Sequence, residues 1–329
     1  MRHPRLALST AVAAALVGLL LITVSLPQGQ TQRSWKPPHT SWGDPDLQGI
    51  WNNSGDAQTP FERPDELAGR DTISESEARE LLSKSLAEEF VAGGTGADPQ
   101  HWYERPPSRR TSLIQDPPDG RLPAMTSEGE RRASAKAAVR RSRGPADSWE
   151  DLEPFTRCIT RGVPGAMVPD YYNANYHIMQ APGYLAILYE MIHDVRIIPL
   201  DGRRALDKGI RLWMGDSRGH WEGNTLVVEV TNFNDLANGS ASDRYRLIER
   251  FTRLSPDTIR YEYTVDDPGT WARPWTVRST LTTTHNPGVI YEYACHEGNY
   301  AVTNVLRGAR SQEQREREGS EAKAALDAR

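Results

Sequence analysis

The sequence predicts a mainly β protein, an antiparallel meander that closes as a barrel-like domain. From Tyr172 onward, apolar and polar residues alternate with a period of two, which is typical of half-buried strands. Short turn-like segments rich in Pro, Gly and Asp separate the alternating runs, at 181–183, 201–203, 255–257 and 286–288. No long helical pattern interrupts them, which favours hairpins over βαβ units. Closure would hide the edge strands that an open meander of this size exposes.

The first element is an apolar N-terminal run behind a basic flank. Arg2 and Arg5 precede Leu6–Leu26, which is uncharged and mostly apolar. This order is typical of an export signal, and the run is also long enough to cross a bilayer. We therefore expect residues 1–31 to be a signal peptide or an N-terminal anchor rather than a buried core helix. The rest of the chain is then extracytoplasmic, either periplasmic or secreted.

Residues 32–110 are predicted to wrap over the main body and to contain one helix, 74–90. Asp46–Trp51 is expected to start a strand, and 92–110 reads as a loop. Ser74 and Glu77 form a capping-box pattern at the start of the helix. One face of the helix is apolar through residues at steps of four, namely Ala78, Leu82, Leu86 and Phe90.

The β domain is expected over 111–309, and it opens with a short strand, Thr111–Gln115, and a turn at 116–121. A second capping box, Ser127 with Glu130, predicts a strongly basic helix that runs to about Arg143. Its charge fits either an anion-binding or membrane-facing patch or an ordinary solvated helix. The lack of an apolar face favours the solvated helix.

Nine further strands are predicted from the alternation. They are Tyr176–Ala181, Tyr184–Met191, Val195–Leu200, Ile210–Met214, Thr225–Phe233, Leu247–Leu254, Thr258–Val265, Thr276–Thr284 and Val289–His296. The charged segment 310–329, with equal numbers of acidic and basic residues, is expected to be a solvated helix or a frayed tail.

Several short motifs together resemble a known family. Gly49-x-Trp51 by itself also occurs at the start of lipocalin barrels, so calycin-like closure is a hypothesis. The next predicted strand follows only after about sixty residues, which departs from the lipocalin pattern. The motifs are DLQGIW at 46–51, RTSLIQDPPDGR at 110–121, MIHD at 191–194, GDSRGHWEGN at 215–224, TNFND at 231–235, YTVDDP at 263–268 and YACHEGN at 293–299. This combined set is similar to a large family of exported bacterial proteins from acidobacteria and some proteobacteria, and the resemblance covers about 42–310. The resemblance implies export and a shared core, and it implies no particular reaction.

The two cysteines, Cys158 and Cys295, are predicted to form a disulfide. In an exported chain with two cysteines, pairing is the simplest outcome. The alternative is a catalytic thiolate near His296, which an oxidising compartment disfavours.

Two His–acid dipeptides at predicted strand ends are the candidate catalytic residues: His193 with Asp194, and His296 with Glu297. Neighbours on a strand point to opposite faces, so each His is expected to pair across the barrel rim with the other dipeptide. We expect His193 and His296 to share one pocket with at least one carboxylate.

The polar segment 215–224 is interpreted as a turn, which fits either a polar lid, with Arg218 holding a carboxylate or oxyanion, or an ordinary structural hairpin. Its Asp-Ser and Gly-Asn pairs are typical of hairpins and favour the structural interpretation. The candidate substrate-binding residues are side chains that hydrogen-bond or stack, both in this segment and elsewhere in the β domain. They are Asn173, Tyr176, Asp216, Arg218, Trp221 and Tyr293.

Composition narrows the function classes. The formal charge of −5, which becomes −7 without residues 1–31, makes a nucleic-acid partner unexpected. Neither a zinc or calcium pattern nor a Walker, Rossmann or nucleophile-elbow motif is present, so we expect no metal and no cofactor.

We predict an exported enzyme acting on a small organic or glycoside-like molecule by hydrolysis, elimination or isomerisation. The alternative is non-catalytic binding of an amphipathic ligand in an aromatic-lined barrel cavity, and a structural envelope protein is a third reading. Membrane contact is expected only through an uncleaved N-terminal segment.

Overall fold

The computed structural model describes residues 35–91, 106–144, 146–234, 241–283 and 288–327. The predicted export segment, and residues 92–105 of the predicted loop, lie outside these ranges. The described residues from Pro37 onward belong to one compact unit.

The described residues contain ten strands, which confirms a mainly β fold. The strands are β1 Gly49–Asn52, β2 Ile114–Asp116, β3 Asn175–Ala181, β4 Tyr184–Tyr189, β5 Val195–Pro199, β6 Asp216–Glu222, β7 Thr225–Thr231, β8 Arg246–Ser255, β9 Thr258–Asp266 and β10 Trp275–Thr282.

All ten strands belong to one antiparallel sheet, in the order β5-β4-β3-β1-β10-β9-β8-β7-β6. β2 pairs with β10 beside this path. β1 comes from the predicted wrap, yet it lies in the middle of the sheet, between β3 and β10. The N-terminal region is therefore part of the β domain rather than only a cover over it.

The predicted closure into a barrel is wrong, because β5 and β6 are the two ends of the ladder. Side chains rather than backbone hydrogen bonds join these ends: Arg196 Nε donates to Ser217 Oγ at 2.8 Å. A Cβ on Gly219 of β6 would lie 2.5 Å from Leu200 Cδ2 and 2.9 Å from Ile198 Cγ2. The missing side chain at Gly219 thus lets β6 approach the residues of β5 and its C-terminal flank.

The buried face of the sheet carries the apolar residues of the alternating pattern, as expected. Trp51 of β1 is buried, and the Arg253 guanidinium lies 5.3 Å from the centroid of its ring. Arg253 also donates to the Asp46 carbonyl at 2.9 Å. This contact ties the end of β8 to the start of β1.

Three strand assignments need correction. The 215–224 segment, predicted as a turn, is mostly strand β6, and only Gly223 and Asn224 separate it from β7. Ile210–Met214 is not a strand, and it makes a single isolated bridge, Leu212 with Phe233. The described part of Val289–His296 forms no strand either.

Three α-helices occur among the described residues: α1 Glu75–Val91, α2 Ser127–Arg141 and α3 Tyr300–Asp327. α1 confirms the predicted helix, and Ser74 Oγ accepts from Glu77 N at 3.2 Å. The N-cap of α2 is Thr126, whose Oγ1 accepts from Gly129 N at 3.0 Å, so the predicted capping box starts one residue too late. α3 begins ten residues before the predicted charged tail and has no buried residue.

The predicted disulfide is confirmed: Cys158 and Cys295 are bonded, with Cα atoms 5.7 Å apart. A structural disulfide is typical of an oxidising, extracytoplasmic compartment. Among the helices that the structure describes, none is both long enough and apolar enough to cross a bilayer.

Candidate functional site

A cleft of about 580 Å³ opens beside the disulfide. It mixes three aromatic rings with amide, hydroxyl and carboxylate groups, the usual composition of a small-molecule site. The lining residues are Phe155, Thr156, Cys158, Tyr172, Asn173, Glu292, Tyr293, Ala294, Cys295, Gly298, Asn299 and Ala301. The cleft therefore brings together both cysteines and two of the predicted binding residues, Asn173 and Tyr293.

Two segments that are distant in sequence build the walls of this cleft, and the disulfide joins them. Asn299 Nδ2 donates to the Thr156 carbonyl at 3.0 Å and to Cys158 Sγ at 3.2 Å, which fixes the second wall against the first. Cys158 and Asn173 both have positive φ, 56° and 50°. This conformation is uncommon for non-glycine residues, although Asn adopts it more readily than most, so at Cys158 the surrounding contacts hold it in place.

The aromatic rings of the cleft are oriented by neighbours. Tyr172 and Tyr293 meet edge to face, with ring centroids 6.1 Å apart. The Arg161 guanidinium lies 5.5 Å from the ring of Phe155, and Asp170 accepts from Arg161 at 3.0 Å. Because each ring has a defined neighbour, the apolar part of the cleft is formed before a ligand arrives.

His296 and Glu297 lie between two lining residues, Cys295 and Gly298, and both side chains are exposed. The position of this dipeptide is fixed by the disulfide on one side and by the Asn299 contacts on the other. It therefore stands at the rim of the cleft, although neither side chain lines it.

His193 and Asp194 lie in the connection from β4 to β5. Ile192 and His193 both have positive φ, and His193 is exposed. Thr160 Oγ1 donates to Asp194 Oδ2 at 2.9 Å, and burial raises the pKa of the Asp194 carboxyl. Since Thr160 is two residues from Cys158, this hydrogen bond links the Asp194 connection to the segment that carries the disulfide. His193 does not line the cleft either, so a pocket shared by the two histidines remains a prediction.

The predicted lid residues Asp216 and Arg218 hold a neighbouring loop instead. Asp216 is buried, and its Oδ2 accepts from Leu206 N at 2.7 Å. Arg218 is bonded to Asp216, and its Nε donates to the Arg204 carbonyl at 3.2 Å. Trp221 packs against the core, and its Nε1 is buried without a partner among the described residues.

Tyr176, another predicted binding residue, lies in the core at 2% exposure. Its ring meets Tyr189 edge to face at 5.8 Å. Tyr261 and Tyr263 on β9 are buried to the same degree.

A buried polar network inside the sheet escaped the sequence analysis. Arg196 and Glu249, at 4% and 0% exposure, form a bidentate ion pair, and one of its two hydrogen bonds measures 3.0 Å. Tyr261 Oη donates to Glu249 Oε1 at 2.8 Å, and burial together with that carboxylate raises the pKa of Tyr261. The available signal was the position of Glu249 between Leu247 and Phe251 on an otherwise apolar face.

Several lining residues of the cleft were also missed. The predicted disulfide implies that the flanks of both cysteines meet, and aromatic or polar residues near either cysteine were the signal for a site there. The missed residues are Phe155, Thr156, Tyr172, Glu292 and Asn299.

No protein-family model matches this chain, and no curated protein matches it. Among solved structures, a secretary abundant heat soluble (SAHS) protein from Ramazzottius varieornatus is similar over 40% of this chain and 85% of that chain. The two are 12% identical, and the TM-score is 0.23. A TM-score this low supports no inference about fold or function.

Proposed function

We propose that this is an exported protein that binds a small glycoside-like organic molecule in the disulfide cleft and acts on it through His296 and Glu297. The observation that carries the proposal is the cleft itself, where Tyr172 and Tyr293 stand beside the amides of Asn173 and Asn299. The sequence resemblance to exported bacterial proteins supports the compartment.

The chemistry of the lining fits a sugar-like molecule. Aromatic rings offer apolar faces to the C–H side of a saturated ring, while amides and carboxylates bond its hydroxyl groups. Glu292 adds an acceptor-only group that also favours hydroxyl donors. The cleft volume, about 580 Å³, lies in the range of sites for such molecules.

Proton transfer is assigned to the rim. Histidine and glutamate are side chains that exchange protons with bound substrates in hydrolases, lyases and isomerases. His296 and Glu297 directly follow the bonded Cys295 and precede the lining residue Gly298, so a molecule in the cleft lies close to both backbones.

The second candidate function is binding without turnover in the same cleft. The exposure of His296 and Glu297, and their absence from the cleft lining, favour it. The two candidates share the ligand class and differ only in whether product forms.

Ligand-observed NMR with a panel of aryl glycosides and their parent sugars tests binding. Tyr293→Ala removes a ring of the cleft, whereas Tyr291→Ala removes an exposed ring two residues away that does not line it. We expect Tyr293→Ala to weaken binding about tenfold and Tyr291→Ala to leave it unchanged. Equal effects of the two changes would place the ligand elsewhere.

Product detection with the same panel tests turnover. His296→Ala is compared with His220→Ala, which changes an exposed histidine of β6 that bonds Glu222 at 3.3 Å. Loss of product by at least a hundredfold only in His296→Ala supports the enzyme. Binding without product in the unaltered protein supports the binding function and removes the catalytic assignment.

A further inference from the structure

Residues 201–212, here called loop 201–212, connect β5 to the segment before β6 and are exposed throughout. Despite this exposure, buried and half-buried side chains fix the backbone of the loop. Asp216 accepts from Leu206 N, and Asn232 Nδ2 donates to the carbonyls of Leu206 and Asp207 at 3.1 and 3.0 Å. Arg218 holds the Arg204 carbonyl. Asp216 and Arg218 were predicted to bind a ligand, and their observed partners are in this loop.

The fixed loop presents apolar side chains to solvent. Leu206, Ile210 and Leu212 are 38%, 49% and 41% exposed. Scattered single apolar residues are ordinary on a protein surface, but a contiguous group marks an interaction site. Ordering a loop in order to display three such residues is unfavourable in water alone.

The apolar surface continues onto the outer face of β3–β5. Val195 and Ile197 of β5 are 51% and 61% exposed, and Ile197 stands in register with Ala186, which pairs with Met179. The loop joins this face at Tyr184, because the Arg203 guanidinium lies 5.1 Å from the centroid of that ring and bonds its hydroxyl.

Loop 201–212 carries an excess of positive charge beside its apolar side chains. Loop 201–212 contains four basic residues, Arg203, Arg204, Lys208 and Arg211, against two acidic ones, Asp201 and Asp207. One of the acids, Asp201, is paired with Arg203. The loop is therefore net positive, although the whole chain has a formal charge of −5. A local excess of this kind attracts an anionic surface without making the protein a general polyanion binder.

We infer that loop 201–212 and the outer face of β3–β5 form a docking surface for an anionic lipid membrane. Interleaved basic and apolar side chains are the composition of surfaces that lie in the lipid headgroup region, where apolar tips enter and cations meet phosphates. A bilayer matches both features at once over a flat area. An acidic protein would need its own apolar patch in the same register.

This contact is separate from the predicted N-terminal segment, which was the only expected membrane contact in the sequence analysis. It is also independent of the proposed ligand cleft, whose lining shares no residue with the docking surface. The test uses a chain that starts at Pro37, because residues 37–329 form a compact unit and the N-terminal apolar run would itself bind lipid.

Co-sedimentation with phosphatidylcholine vesicles, with and without phosphatidylglycerol, measures partitioning. We expect binding only with phosphatidylglycerol, and weaker binding as salt rises. Arg204→Gln with Lys208→Gln should reduce partitioning about 25-fold, at about fivefold per lost charge. Leu206→Ser with Ile210→Ser should reduce it about tenfold or more. The charge-conserving pair Arg204→Lys with Lys208→Arg should bind like the unaltered protein.

The matched controls lie on α2, where Lys136→Gln with Arg140→Gln and, separately, Val139→Ser change the same residue classes on an exposed helix. They should change partitioning less than twofold. Unchanged binding in the loop variants, an equal loss in the α2 variants, or equal binding to neutral vesicles overturns the proposal. Absence of vesicle binding together with a solution dimer that Leu206→Ser with Ile210→Ser dissociates would identify a self-association face instead. Thermal unfolding of every variant at an unaltered midpoint establishes that folding is intact.

Discussion

At the scale of single residues, the buried pair of Arg196 and Glu249 places two charges inside the sheet. A charge withdrawn from water loses several kcal/mol of hydration, and only a partner in good geometry offsets that loss. Here the guanidinium meets both carboxylate oxygens, Ser217 accepts from Arg196 Nε, and Tyr261 donates to Glu249. The two charges compensate each other inside the sheet, and removing either one leaves the other buried without a counter-charge.

Removing one partner should therefore destabilise far more than removing both. We expect Glu249→Gln to lower the free energy of unfolding by about 3–5 kcal/mol, because Arg196 stays buried without a counter-charge. Arg196→Met with Glu249→Leu should recover most of that loss. Urea denaturation measures the three values, and Arg250→Gln, which breaks the exposed pair with Glu222, is the control expected to cost less than about 1 kcal/mol. A Glu249→Gln loss as small as that of the control would contradict the balanced-pair argument.

At the scale of elements, β6 shows why the alternation failed where it did. Its inward positions are Ser217, Gly219 and Trp221, and the first two are too small or too polar to register as apolar. The space above Gly219 is filled from the other end of the sheet, by Ile198 and Leu200. Alternation in a sequence reflects only the side chains of the strand itself. A strand that is covered by the apolar side chains of a neighbouring segment therefore resembles a turn in the sequence pattern.

That close approach predicts a coupled pair of changes. Gly219→Ala places a Cβ 2.5 Å from Leu200 Cδ2 and should cost about 1–3 kcal/mol through overpacking. Leu200→Ala should also destabilise, by removing apolar contact. The double variant should be less destabilised than the sum of the two, and a double-mutant cycle from urea denaturation measures this coupling. Additive losses would mean that β6 and the flank of β5 do not touch in solution.

At the scale of the whole molecule, the sequence predicts the features that arise from local patterns, but not those that depend on long-range contacts. β3, β4, β8 and β9 follow from alternation, because each strand carries its own apolar face. The prediction of a closed barrel was wrong, because hydrogen bonding between the two end strands, β5 and β6, depends on the geometry of the entire sheet. The cleft also was not predicted, because its walls, near 155 and near 295, are distant in sequence and meet through the disulfide and through long-range contacts such as that of Asn299 with Thr156. Tyr291 and Tyr293 alternate like a strand, but they precede a cysteine held away from the ladder.

The disulfide between Cys158 and Cys295 joins two segments that are distant in sequence, and both segments line the cleft. Its loop spans a sequence separation of 137, for which the chain-entropy model gives about 4–5 kcal/mol of stabilisation. Replacing both cysteines by serine should lower the free energy of unfolding by about that amount and abolish ligand binding in the cleft. Hydrogen exchange should quicken in 292–301 while the β8–β9 ladder stays protected, because that ladder contains neither cysteine. Alkylation under denaturing, non-reducing conditions should find no free thiol in the unaltered protein, and two free thiols would remove the basis of this prediction. Loss of protection in the β8–β9 ladder at the same rate as in 292–301 would show instead that the disulfide supports the whole sheet.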